Sequence, residues 1–296
     1  MRIFGYVLLS LFGLLLLVFL FINIPLGKRV VKNQVKNYLT KKLNTRIEIG
    51  EIDYSLPKWV NIKNIYLEDQ NKDTLLFGEE LAVDLSMLKL INGNTDIQKV
   101  FLKNIIVKVN RSATDSFFNY QFLVNAFAGN KSTTAIPDTA ALKLTLAQLI
   151  FNNVSLKFND QNAGSDFNAN IKDLDVLLNT FKPDRLKFFI DDFKATGVNF
   201  KMKTYKQKPE IIADKVLIDT SKPNYGFYLS AGKVNLQNVN VAIDNTITGF
   251  NYNNKITTLA ATGITYNQLQ SVATADALLL DSSTINFTQP KPANQI

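Results

Sequence analysis

Residues Val100 to Val109 read VFLKNIIVKV. Val100 and Leu102 lie on one parity, polar Lys103 and Asn104 follow, and Ile105, Val107 and Val109 then carry the apolar residues on the opposite parity. Side chains of a strand alternate faces with period two, so one flat strand cannot bury all five on one side. A joint at Asn104 restores a single apolar face, and a β-bulge with one inserted residue is the expected device.

The same switch recurs along the chain. Val60 and Ile62 give way at Asn64 to Ile65 and Leu67; Leu149 and Phe151 give way at Asn152 and Asn153 to Val154, Leu156 and Phe158. Phe193 and Ala195 give way at Gly197 to Val198, Phe200 and Met202. Val234 and Leu236 give way at Asn238 to Val239, Val241 and Ile243, and Leu259 and Ala261 at Gly263 to Ile264 and Tyr266. The switch residue is always Asn or Gly, the types that best tolerate positive φ. The switches at 64, 104, 153, 197, 238 and 263 are 40, 49, 44, 41 and 25 residues apart, a spacing that points to an array of similar units.

The chain of 296 residues has no cysteine and no histidine. Disulfides and thiolate metal sites are excluded, and the commonest general base and metal ligand are missing. The net charge of +8 is concentrated at the start. Arg2, Lys28, Arg29, Lys32, Lys36, Lys41, Lys42 and Arg46 stand against Glu48 alone, while the rest of the chain holds 25 basic and 24 acidic residues. A basic collar beside an apolar segment suits anionic lipid headgroups, and no nucleic-acid partner is expected.

Ile3 to Ile24, IFGYVLLSLFGLLLLVFLFINI, carries no charge. Its 22 residues would span about 33 Å as a helix, enough for a bilayer core. Residues 1–26 are therefore read as an uncleaved transmembrane signal anchor, since Pro25 and Leu26 follow where a small-residue cleavage site would stand. Residues 27–45 place Val31, Val35, Tyr38, Leu39 and Leu43 at helical spacing with Lys opposite, an amphipathic helix to lie at headgroup level or cap the first strands. Residues 46–128 form the first β repeats, with a short aromatic helix in Ser116 to Ala128; 129–140 form a polar loop; 141–296 hold further repeats, ending in mid-pattern. The expected fold is mainly β: a transmembrane helix and an amphipathic helix, then a curved antiparallel sheet of repeats. By charge count the basic cluster after the span favours a cytoplasmic body.

The segments VVKNQVKNYLTKKLNTRIEIGEIDY (30–54), WVNIKNIYLED (59–69) and IQKVFLKNIIVKVNR (97–111), set after an N-terminal span, resemble the N-terminal part of the AsmA-like envelope proteins. The resemblance covers most of the chain but carries no catalytic motif, and the C-terminal β-domain usual in that family is not present in these 296 residues. It implies a periplasmic body held in the inner membrane. It also implies a taco-shaped sheet with an apolar groove that conducts phospholipid acyl chains between membranes or assists outer-membrane protein assembly with an outer-membrane partner.

The candidate groove residues are the post-switch triplets Ile105, Val107, Val109; Val154, Leu156, Phe158; Val198, Phe200, Met202; and Val239, Val241, Ile243. Burying an acyl chain against them would recover about 0.8 kcal/mol per methylene. The alternative is an anchored structural or adhesive β-array in which the same residues pack in a sealed core. Catalysis is not expected. The carboxylate groupings are Asp191 with Asp192, Glu79 with Glu80, and Asp53; strand neighbours point to opposite faces, and no phosphate-binding glycine loop accompanies them. No cofactor is expected.

Overall fold

The computed structural model describes residues 24–55, 59–85, 96–127, 145–182, 186–206 and 226–289. The proposed span lies outside these except for Ile24, as do the polar loop at 129–140 and residues 211–218, whose sequence IIADKVLI reads as a further strand of the repeats. Among the described residues, no helix is long and apolar enough to cross a membrane.

Helix α1 (Pro25–Leu43) is followed by β1 (Ile47–Ser55), β2 (Trp59–Glu68), β3 (Thr74–Leu85) and β4 (Asp96–Arg111). After α2 (Gln121–Phe127) come β5 (Thr145–Asp160), β6 (Ser165–Lys182), β7 (Lys187–Thr204), β8 (Tyr228–Asn245) and β9 (Phe250–Asn267). Three short strands, β10 (Val272–Thr274), β11 (Ala277–Asp281) and β12 (Thr284–Thr288), all pair with β9. Their register against β9 is continuous, from Val272 beside Asn267 to Thr288 beside Asn251, so they form one line broken at two points. The result is one curved, open sheet in which each strand neighbours the next in sequence.

All six switch residues take positive φ: Asn64 53°, Asn104 50°, Asn153 55°, Gly197 65°, Asn238 53° and Gly263 61°. Five of them lie in a single row across the sheet. Lys103 pairs with Asn152 and Ile105 with Val154, which sets Asn104 beside Asn153. The same reasoning extends the row from Gly50 through Asn64, Glu79, Asn104, Asn153, Lys172, Gly197, Asn238 and Thr257 to Ser282. Gly263 belongs to a second row, opposite Gly232 and Asp276. The joint is not a bulge. Residue counts on either side of the row match strand for strand, so nothing is inserted; the chain turns over through one left-handed residue. Register shifts do occur elsewhere, at Leu67/Glu68, Asp84/Leu85 and Leu177–Thr180.

Strand direction decides which residues are left-handed. β2, β4, β5, β7, β8 and the β10–β12 line run one way, and each carries a left-handed residue in the main row, the last being Ser282 at φ 48°. β1, β3, β6 and β9 run the other way and cross the row at Gly50, Glu79, Lys172 and Thr257, none with positive φ. The parity of their apolar residues flips at the row nonetheless: Ile47 and Ile49 against Ile52 and Tyr54, or Ala169 and Ile171 against Leu174 and Val176.

The sheet is mixed, not antiparallel throughout. β4 pairs with β5 and β7 with β8 in parallel, because 33 and 23 residues separate these strands, enough to carry the chain back to its starting end. The repeating unit is therefore a three-stranded meander: β2–β4, β5–β7, then β8 to the β10–β12 line. Equivalent joints Asn64, Asn153 and Asn238 are 89 and 85 residues apart, about twice the spacing that the switches alone suggest.

One end of this array is closed. Pro25 stands in the first turn of α1, Lys41 and Lys42 face the negative end of its dipole, and Asn44 ends it in the left-handed conformation. Val35, Leu39 and Leu43 pack with Ile47, Ile49, Ile52 and Leu67, so the amphipathic helix caps the first strands. Tyr120, Phe122, Leu123 and Ala126, from α2 and the residue preceding it, join the same cluster. The expected aromatic helix is thus present but shorter, seven residues. Asp69, 1% exposed, holds this corner: its carboxylate accepts from the Asn71 and Asp73 amides at 2.9 and 3.0 Å and from Asn119 Nδ2 at 3.0 Å.

Candidate apolar groove

Cross-strand partners share a face, so the registers assign side chains to sides. One row above the joint runs Ile52, Ile62, Leu81, Leu102, Phe151, Leu174, Ala195, Leu236 and Leu259. The first row below it runs Ile49, Ile65, Gly78, Ile105, Val154, Ile171, Val198, Val239 and Ile256. Residues from both sides of the joint pack in one cluster, with Phe151, Leu174 and Ala195 against Ile171 and Val198, so the two rows lie on the same face. Further rows continue it, Val107 to Leu156, Ala169, Phe200 and Val241, and Val109 to Phe158, Phe167, Met202 and Ile243.

All twelve candidate residues fall on this face, in three adjacent rows. Ile105, Val154 and Val239 are 1%, 7% and 6% exposed; the other nine are half-buried. Pre-switch residues such as Leu102 and Leu236 share the face, and so do Ala169, Ile171 and Ile256 from strands that cross the joint without Asn or left-handed Gly. Their parity flips also show in the sequence, with no Asn or left-handed Gly to mark the place.

The opposite face is mainly polar, although Phe77, Phe101, Ile106 and Ile150 also lie on it. Between the rows of Ile105 and Val107 it presents Ser155, Asn170, Asn199, Asn240 and Lys255 beside Ile106. Side-chain pairs tie its strands: Gln148 Nε2 to Asp175 at 2.8 Å, Asn152 Nδ2 to Asp173 at 2.8 Å and Ser155 Oγ to Asn170 at 2.8 Å. At the joint, Asn104 donates to Glu79 and Asn153 Nδ2 to Asn104 Oδ1 at 2.6 Å, a polar ladder across three strands. Among the described residues, no second sheet packs on the apolar face; helices touch the sheet only around β1 and the β2–β3 corner.

Aromatic rings border the face. Phe118, in the segment before α2, meets Phe158 at 5.4 Å between ring centres, Phe158 meets Phe167 at 4.7 Å, and Phe167 meets Phe200 at 5.8 Å. The Arg111 guanidinium lies 4.6 Å from the centre of the Phe118 ring and grips Asp160 with two hydrogen bonds of 2.9 and 2.5 Å, across the parallel β4–β5 junction. This bond from Arg111 holds the Asp160 carboxyl below its ordinary pKa. At the other end, Phe227 lies between Phe188 and Tyr266, at 5.6 and 6.0 Å. One buried polar residue, Asn254, interrupts the row of Val241, and its Nδ2 donates to the Tyr252 hydroxyl at 2.7 Å.

The carboxylate groupings pair with neighbouring side chains. Glu79 and Glu80 both find partners on the polar side, because alternation stops at the joint: Glu79 binds Lys103 and Asn104, and Glu80 accepts from Asn61 at 2.6 Å. Lys103 and Asn104 together hold the Glu79 carboxyl below its ordinary pKa. Asp192 pairs with Lys194 at 2.7 Å, and Asp53 with Lys28. Among the described residues, no group of three or more acidic side chains converges as metal ligands would. No protein-family model matches this chain, and no curated protein matches it.

Proposed function

We propose that this chain is an inner-membrane-anchored periplasmic protein of the AsmA-like type, akin to TamB, the inner-membrane subunit of the translocation and assembly module. Its groove conducts phospholipid between the envelope membranes and assists outer-membrane protein assembly together with an outer-membrane partner; it catalyses no reaction. The observation that carries this reading is the apolar face that runs from β1 to β9 and carries no second sheet among the described residues. Shielding of Val154 and Val239 to below a tenth exposed in a single layer fits a sheet that curls toward that face, leaving a trough open along one side. Acyl chains would lie in the trough with headgroups in water. A sealed structural array would need a covering layer instead.

The test is Val241→Glu in the full chain. Val241 is half-buried in the middle of the face, so a carboxylate there puts a charge where methylenes would lie. The mutant should co-purify with several-fold less phospholipid, measured by lipid extraction and mass spectrometry, with strand content by circular dichroism unchanged. Equal lipid in the two proteins would remove Val241 from the conduit. Protease access to the body in spheroplasts tests the periplasmic placement.

A further inference from the structure

A carboxamide lies at depth on the apolar face. Asn254 is 8% exposed and stands on β9 between Ile256 and Tyr252, which share its face, with Val241 beside it on β8 and Ile285 on β12. The neighbouring strands fill the same row with Val107, Leu156, Ala169, Phe200 and Val241. The Nδ2 of Asn254 donates to the Tyr252 hydroxyl at 2.7 Å, but its buried Oδ1 has no hydrogen-bond partner among the described residues. Two other buried side-chain oxygens share that condition, Asn61 Oδ1 and Asp192 Oδ1, and both residues belong to the opposite face. An unpaired carbonyl among apolar side chains weakens a fold, and an aliphatic residue like those in the rest of the row would carry no such cost.

The pair has one capacity of each kind to offer. Tyr252 accepts from Asn254 and keeps its own O–H to donate, and Asn254 Oδ1 is left to accept. The ester carbonyls of a diacyl phospholipid only accept, and a plain acyl chain does neither, so nothing in that part of such a lipid serves Asn254. A hydroxyl on the chain serves both, accepting from the Tyr252 O–H and donating to Asn254 Oδ1. We infer that Asn254 and Tyr252 form a selective station in the trough, which favours lipids whose acyl chains carry a hydroxyl over lipids whose chains are plain hydrocarbon. The inference rests on the lipid-trough reading and adds a preference to it. Val241→Glu does not test that preference, because a carboxylate in the trough repels both kinds of chain.

The experiment measures displacement of a fluorescent fatty acid from the full chain held in an amphipathic polymer. Stearic acid should displace it, and the better of β-hydroxystearic and mid-chain hydroxystearic acid should do so at about one-tenth of the concentration, the worth of one well-made hydrogen bond. In Asn254→Leu that ratio should fall to about one with the potency of stearic acid unchanged, and Tyr252→Phe should lower it as well. The urea midpoint of Asn254→Leu should equal or exceed that of the unmodified chain, since an unpaired carbonyl has been removed. Equal potency of plain and hydroxylated acids on the unmodified chain would overturn the inference and leave the trough standing. Displacement by none of the acids would remove the trough and the inference together. A preference that survives Asn254→Leu, or a lower urea midpoint in that variant, would make the pair a structural one and would also overturn the inference.

Discussion

Replacing Asn104 with valine should cost about 3–4 kcal/mol of stability, read as a lower urea midpoint, whereas Asn104→Gly should cost about 2 kcal/mol. Asn104 sits at φ 50°, where a β-branched side chain collides with its own backbone, at about 1–2 kcal/mol. Valine also removes the donor to Glu79 and the acceptor that takes the Asn153 amide at 2.6 Å, groups worth about 1 kcal/mol each once desolvation is counted. Glycine loses the same bonds but relieves the backbone, so the contrast between the two isolates the conformational term. Gly197→Val should behave like Asn104→Val: φ is 65°, and in addition a new Cβ would come within 2.8 Å of the Lys172 Cβ. Because the Asn104 and Asn153 side chains are bonded to each other, replacing both with valine should cost less than the sum of the single changes.

Ile105→Ala should cost about 3–4 kcal/mol, since Ile105 is the most shielded large side chain of the face at 1% exposed. Its position depends on a neighbour. The Cδ1 of Ile105 occupies the space above Gly78, where an added Cβ would come within 2.1 Å of it. Gly78→Ala alone should therefore cost about 1–3 kcal/mol by overpacking, even though Gly78 has ordinary strand geometry. In combination the two changes should partly cancel, because the new methyl group enters the space vacated by the isoleucine. A double-mutant cycle from urea unfolding should give a coupling of at least about 1 kcal/mol. Strict additivity would mean that the two residues do not share that space.

The joint row was legible in half of the strands, and the half is explained by direction. Strands that turn over through a left-handed residue need Asn or Gly there, and five such positions of the main row stood out as parity switches. Ser282 does the same work, but serine is a poor advertisement for positive φ. Strands running the other way flip at Glu79, Lys172 and Thr257 with no special residue to mark the place. The pairing of β4 with β5 in parallel was not legible either, since side-chain parity is blind to strand direction. Only the long connections after Arg111 and Thr204 hinted at it. The post-switch triplets share one face of the sheet but cover only part of its breadth, because the rows become visible only when register sets Leu102 beside Phe151 and Ile105 beside Val154. The inserted-residue bulge was the wrong device for the right effect: both turn a strand over, and only the registers distinguish them.

Lipid contact on one face of the sheet is the claim on which the functional reading turns. A photo-reactive amino acid placed at Leu156, Phe200 or Val241, and separately at Ser155, Asn199 or Asn240, samples the two faces at the same height in the same three strands. After irradiation of the full chain in its native membranes, mass spectrometry of the protein should find phospholipid adducts at the first three positions and at least tenfold fewer at the second three. Adducts at neither set, or equally at both, would contradict a lipid-carrying trough.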